Sequence, residues 1–329
     1  MNLLIPDVRI LEVHPCPTLQ SHSPISSLVE ERKELGVPLL LRAIRDAANL
    51  GYNFLNVAGD EPLSNPALPA LCREAHQRGM LTSMITCRRP LTAPQLEWLR
   101  FSIDLLGVEV TGKAQATRRT SRSKGAAQTL EERLSRIRQS GIPFAVVFPL
   151  HANSLSELEW AAEYAMAQGA AMLQVRPDPA LTDEQMATAW MMVECLCDLQ
   201  RGKLVIHFDA VNRYSLPTEP EDLASWHRDL ERESRYLGEV VSPLVIEDDG
   251  TVSPLRYGFP RHFAFGNLHS EQLTDLAARW IDLRAGLFCE IYGKVLRQAR
   301  TADHMFGDLH QMLLQEAGEI EIGRSAAGC

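Results

Sequence analysis

The chain has 329 residues, 45% of them hydrophobic and 23% charged, which is ample apolar material for a large buried core. Its formal net charge of -9 excludes a broadly basic nucleic-acid-binding surface, because phosphate attraction needs a positive face. No apolar run approaches the roughly 20 residues of a membrane span, and the opening MNLLIPDVRI has neither a basic n-region nor a small-residue cleavage site. The expected setting is therefore cytoplasmic, with no nucleic-acid or membrane partner.

Alternating strand and helix patterns predict strands at 9–14, 53–58, 81–86, 103–110, 143–149, 171–176 and 203–208. Helical patterns fall between them near 37–50, 66–79, 92–100, 127–140, 154–168 and 182–200. The tetrapeptides SLSE (154–157) and TDEQ (182–185) read as capping boxes, and Gly51, Gly79, Gly141 and Gly169 read as helix stops. Strands that are nearly continuous apolar runs belong to parallel sheets covered on both faces. Six or seven βα units with right-handed crossovers predict a full or partial (β/α) barrel, whose chemistry sits at the C-terminal ends of the strands. That rule singles out His14–Ser23, Gly59–Pro62, Thr86–Arg89, Glu109–Gly112, Pro149–His151, Arg176 and His207–Asp209. After about residue 210 the pattern changes to two short strands around an Asp-Asp-Gly turn (242–259), then helices at about 270–300 and 303–317. The predicted organisation is an α/β barrel domain over 1–212 and an α+β C-terminal extension over 213–329. Leu283, Leu287, Phe288 and Ile291 form an apolar stripe that fits either a homodimer face or internal packing.

Seven cysteines, at 16, 72, 87, 195, 197, 289 and 329, make neither a disulfide framework nor a paired C-x-x-C pattern, and fit reduced thiols. Cys72 and Cys195 fall in helical patterns and read as small buried apolar residues. In HPCPTLQSHSPISS (14–27), His14, Cys16 and His22 are residue types that bind zinc or iron, but their spacing matches no complete site. The alternative for His14 is a hydrogen-bonded core histidine. The turn GDEP (59–62) follows the second strand; Glu61 and the turn backbone suit a cationic amine, and a helix N-terminus nearby favours anions. Glu109, Arg176, His207 and Asp209 are candidates for holding a polar small molecule or peptide, with structural salt bridges as the alternative. The basic run 113–125, with Lys113, Arg118, Arg119, Arg122 and Lys124, reads as a solvated loop or as an attractor of an anionic or peptide substrate or a partner.

Over residues 9–210 these elements together resemble the radical SAM superfamily. GDEP stands where that family has G-G-E-P. LPALCREAHQRGMLTSMITC resembles its G-x-x-T-x-x-x-T-N-G segment, and LTAPQLEWL its following helix. IDLLGVEVTG is similar to the strand-four I-S-L-D-G, with Glu109 for Ser and Thr111 for Asp, and residues 131–177 resemble the fifth and sixth units. The segment 243–269 resembles the SPASM/twitch extension, which carries cluster cysteines in relatives and has none here. The resemblance implies a partial (β/α)6 barrel and a SAM pocket formed by Gly59, Asp60, Glu61 and Pro62. Aligned on His22, the family's C-x3-C-x-H-C cluster loop reads Cys16, Gln20, His22, Ser23; aligned on His14-Pro15, Leu19 takes the first cysteine's place. The family's [4Fe-4S] cluster needs three thiolates, and Gln and Ser are poor substitutes. No such cluster is expected, and without its electron SAM is not cleaved reductively. The resemblance thus implies a degenerate, cluster-free radical SAM-like biosynthetic protein that binds a small molecule or peptide at the barrel mouth. It would act as an accessory subunit to a partner enzyme or as a non-radical enzyme. Two alternatives stay open: a single metal ion held by His14, Cys16 and His22, or SAM binding without reductive cleavage.

Overall fold

The computed structural model describes residues 8–15, 35–59, 62–86, 91–116, 129–200, 202–212, 228–230, 232, 235–301, 306–307 and 311–318. In chain order the elements begin β1 (Ile10–Val13), α1 (Val37–Asn49), β2 (Phe54–Val57), α2 (Leu68–Gln77), β3 (Leu81–Thr86) and α3 (Ala93–Leu99). They continue with β4 (Leu105–Glu109), α4 (Lys113–Ala116), α5 (Leu130–Ser140), β5 (Phe144–Leu150), α6 (Leu158–Ala167), β6 (Met172–Pro177), α7 (Asp183–Leu199), β7 (Val205–Phe208) and β8 (Val211–Asn212). The remainder comprises α8 (Leu237–Val240), β9 (Leu244–Ile246), β10 (Thr251–Pro254), β11 (Gly266–Asn267), α9 (Leu273–Trp280), α10 (Gly286–Thr301) and β12 (Phe306–Gly307). The seven strands expected before residue 210 are all present, within three residues of their predicted limits. Each of Gly51, Gly79, Gly141 and Gly169 has a positive φ, between 72° and 92°, the left-handed conformation that ends a helix.

The contacts divide the chain into two units. Unit I comprises residues 83–212 with 303–307, and unit II residues 5–82, 213–302 and 308–329. In unit I, β3 to β7 pair in sequence order and all in parallel. Phe144 to Phe148 of β5 are buried without interruption, as a strand covered on both faces must be. Thr129 and Thr182 cap α5 and α7 in complete capping boxes with Glu132 and Gln185. Thr92 and Gln95 make a third box on α3. The SLSE segment behaves differently: 152–157 is a 3-10 turn, and α6 starts only at Leu158. The Ser154 hydroxyl accepts from the His151 backbone N–H at 2.9 Å and so caps the start of the 3-10 turn rather than that of α6.

In unit II, β1 lies in parallel between β2 and β9, and β9, β10 and β11 form an antiparallel meander. The predicted strand pair around Asp-Asp-Gly is therefore real, and one of its strands extends the parallel pairing of β1. Helix α1 buries Leu40, Ala43, Ile44 and Ala47 and packs on α2 and α9. Gln272 gives α9 no side-chain cap; the Asp46 carboxylate of α1 accepts the Leu273 and Thr274 backbone N–H groups instead, while burial raises its pKa. Trp280 stacks on Phe265 at 4.4 Å and meets Phe288 edge-on at 5.4 Å, and its indole N–H donates to the Phe263 carbonyl at 2.8 Å. Phe288 and Ile291 belong to this core, so that part of the expected stripe packs internally, whereas Leu283 is exposed.

Two further sequence expectations are corrected. Cys72 is buried, but Cys195 is exposed on α7, because its helical position points away from Val193 and Leu196, which carry the buried face. The helix expected over 303–317 is interrupted: Phe306–Gly307 pairs with β8, and helical backbone resumes at 311–318. Among the described residues no helix is long and apolar enough to cross a membrane. Removing the indole in Trp280→Ala empties the centre of the aromatic cluster and orphans the Phe263 carbonyl. The expected cost is about 3–5 kcal/mol, read as a lowered urea midpoint; Trp280→Phe is expected to retain most of it.

Candidate functional site

The parallel registers of unit I align side chains across the strands. Glu109 pairs with Val147, Val147 with Gln174 and Gln174 with His207. Residues in register share a face, and so do residues two apart on one strand. One face at the C-terminal ends of β4 to β7 therefore carries Glu109, Gln174, His207, Pro149 and Arg176. Just beyond β7, the Asp209 backbone N–H donates to the Val175 carbonyl at 2.9 Å, which continues the ladder and fixes the backbone that carries its carboxylate.

That carboxylate joins the other groups. Its Oδ1 lies 3.0 Å from His207 Nδ1. Its Oδ2 accepts from the Gln174 amide at 2.8 Å and lies 3.4 Å from Arg176 Nε. Desolvation alone would raise the Asp209 pKa, but the His207 hydrogen bond and charge, with Arg176 and Gln174, bring it below the usual carboxylate value. A second histidine–aspartate pair lies just past β5 and β6, where His151 Nδ1 is 2.7 Å from Asp178 Oδ2. The Asp178 pKa is lowered by the Ala180 backbone N–H and then by His151.

The structure thus brings Arg176, His207 and Asp209 into one contact network and puts Glu109 on the same face, its backbone carbonyl accepting from Arg133 at 3.4 Å. Gln174 and Asp178 were not anticipated. Gln174 is the polar break in the apolar run AMLQV, two residues before Arg176, and that alternation is the signal that reveals it.

In unit II, Gly59 adopts φ 115°, a conformation that strains any residue with a Cβ, and Pro62 is buried in a 3-10 turn. Asp60 and Glu61 lie outside the described residues, as do Cys16, Leu19, Gln20, His22, Ser23, Arg118, Arg119, Arg122 and Lys124. His14 is buried. Its Nε2 lies 2.8 Å from Glu12 Oε1, while Glu12 Oε2 accepts from Asn56 at 2.9 Å. The ring packs on Tyr257 at 4.8 Å, and the Tyr257 hydroxyl donates to Asp248. His14 is thus tied into a hydrogen-bonded core that joins β1, β2 and the segment after β10. Among the described residues no three His, Cys, Asp or Glu side chains are grouped to hold a metal ion.

No protein-family model matches the chain. The PqqA peptide cyclase of Ruegeria pomeroyi is 31% identical over 180 residues, 53% of this chain and 48% of the relative. The chain spans about half the length of this relative. Among solved structures, SuiB of Streptococcus suis bound to S-adenosylmethionine superposes with a TM-score of 0.60 at 12% identity, covering 85% of this chain and 65% of SuiB. The anSMEcpe structure with bound AdoMet gives 0.56 at 12% identity, covering 96% and 97%. SuiB has also been solved with its precursor peptide SuiA. The chain is thus similar to part of the PqqA peptide cyclase in sequence and to SuiB and anSMEcpe in fold, in keeping with the radical SAM resemblance of its motifs. At these identities the solved structures establish a shared α/β fold alone.

A carboxylate whose folded pKa is depressed contributes stability above its unfolded value, here 3.8, and loses that contribution as pH falls through the lower folded value. Asp209→Asn is therefore expected to lower the urea midpoint most near neutral pH. The gap from the unsubstituted protein should close below about pH 4; a gap independent of pH would contradict the charge-based account.

Proposed function

We propose that this protein is a peptide-maturation factor with the radical SAM fold that works without the three-thiolate cluster and binds its peptide at the C-terminal ends of β4 to β7. The observation that carries the reading is the interlocked Gln174–Arg176–His207–Asp209 group, with Glu109 on the same face. It offers donors, an acceptor and charges of both signs to a polar, extended ligand. The relative's name, PqqA peptide cyclase, supports a peptide as the ligand class.

The cluster-free part of the proposal rests on the donor set. Between residues 14 and 34 the chain has a single cysteine, Cys16, and the next in sequence is Cys72, which is fully buried in α2. The loop therefore does not supply the three thiolates that the superfamily's cluster needs. SAM, if retained at Gly59–Pro62, would serve as a bound ligand rather than as a radical source. The fold of a former radical enzyme then supplies shape and polar contacts to the peptide, in an accessory or non-radical role.

Two measurements test this. Anaerobic reconstitution with iron and sulfide is expected to leave the protein without stoichiometric iron or acid-labile sulfide; a reducible cluster that cleaves SAM would overturn the cluster-free reading. Fluorescence anisotropy with labelled PqqA peptide is expected to show saturable binding, weakened about tenfold by Arg176→Gln through loss of a charge-assisted hydrogen bond. Absence of binding by the unsubstituted protein would remove PqqA-like peptides as the ligand class.

A further inference from the structure

We infer that His207 is the proton-accepting group of this site, held in that role by Asp209, and that it receives a proton from an O–H or N–H group of the bound peptide. The inference rests on the peptide reading above and assigns one residue within it a specific task.

The geometry constrains the imidazole. The Asp209 backbone is fixed to β6 through the Val175 carbonyl, and Oδ2 is occupied by Gln174 and Arg176. Oδ1 remains for the ring, 3.0 Å from Nδ1. An ionised carboxylate only accepts hydrogen bonds, so the ring nitrogen facing it carries the proton, and Nε2 of the neutral ring keeps its lone pair. His207 lies on the same face as Glu109 and Gln174 with 30% of its side chain exposed, so the ring is partly sheltered and partly open to a ligand. In the step itself the proton moves from the ligand heteroatom to Nε2, and the bonding pair stays on that heteroatom. The resulting imidazolium is stabilised by Asp209. Asp209 is a positioning residue, since it acts through the ring; Gln174 and Arg176 in turn hold Asp209.

Long-range 1H–15N correlation spectra of the full chain with 15N-labelled histidine test the arrangement, His207→Gln supplying the assignment. The neutral His207 ring is expected to carry its proton on Nδ1. Asp209→Asn is expected to lose that preference, and Asp209→Glu to restore it at least in part. A ring protonated on Nε2 in the unsubstituted protein would overturn the inference without recourse to any variant. Adding PqqA peptide is then expected to shift the Nε2 resonance, and His207→Gln to weaken binding about tenfold. Peptide binding that leaves the Nε2 resonance unmoved sinks this inference and spares the peptide reading. Absence of peptide binding removes the peptide reading, and the assignment of His207 falls with it.

Discussion

Parallel strand register is the constraint on which the rest of unit I depends. Along β6, Leu173 and Val175 are buried, while Gln174 and Arg176 point to the other face; along β7, Ile206 and Phe208 are buried and His207 points with Gln174. A slip of one residue would exchange these sets and drive an arginine and a histidine into the apolar side. The hydrophobic effect that selects the register for the core thereby sets the site as well. The polar group needs no separate folding instruction beyond the few residues that alternate with the apolar ones.

The same logic explains what could be read from sequence. The strands were legible because their apolar runs are locally complete: FAVVF of β5 is buried throughout. Helix ends were legible where glycine at positive φ or a Thr-x-x-Gln box marks them chemically, as at Gly141 and Thr182. Ser154 misled because its hydroxyl has a competing partner, the His151 backbone N–H, and nothing in SLSE distinguishes the two uses. Arg176, His207 and Asp209 could be nominated individually from their places at strand ends. Their pairing could not, since Gln174 and Asp209 are 35 residues apart in sequence and meet only through strand pairing. The contact between His14 and Tyr257 spans still more of the chain and leaves no local trace.

The segment after β1 illustrates how a loop and its anchor can serve different ends. Its residue types suggest metal chemistry, and the histidine at its base is engaged by Glu12 and meets Tyr257 at a tilt. The Glu12 carboxylate is shared with Asn56, so three elements of unit II meet at this point. These contacts hold the end of β1, and with it the start of the loop, against β2 and the segment after β10. The Glu12 contact occupies Nε2 of the His14 ring, an arrangement found both in core histidines and in metal-bound ones, whose second ring nitrogen commonly meets a carboxylate.

Three histidine–carboxylate pairs occur among the described residues, and solvent access separates their roles. The His14 side chain is 8% exposed, so its ring is withdrawn from solvent. His151 is 56% exposed, so water competes for its ring and screens its partner Asp178. His207, at 30%, lies between these limits. It is enclosed enough for one ring nitrogen to be fixed by Asp209, yet open enough for the other to meet a ligand. Similar donor–acceptor distances, 2.7 to 3.0 Å in the three pairs, thus leave burial as the property that distinguishes them. Pairing alone does not make a histidine chemically useful; it must also have one nitrogen fixed and the other within reach. Among the three pairs, the one with intermediate exposure stands where β7 ends, and there the ladder from Asp209 to Val175 fixes the backbone of the carboxylate partner.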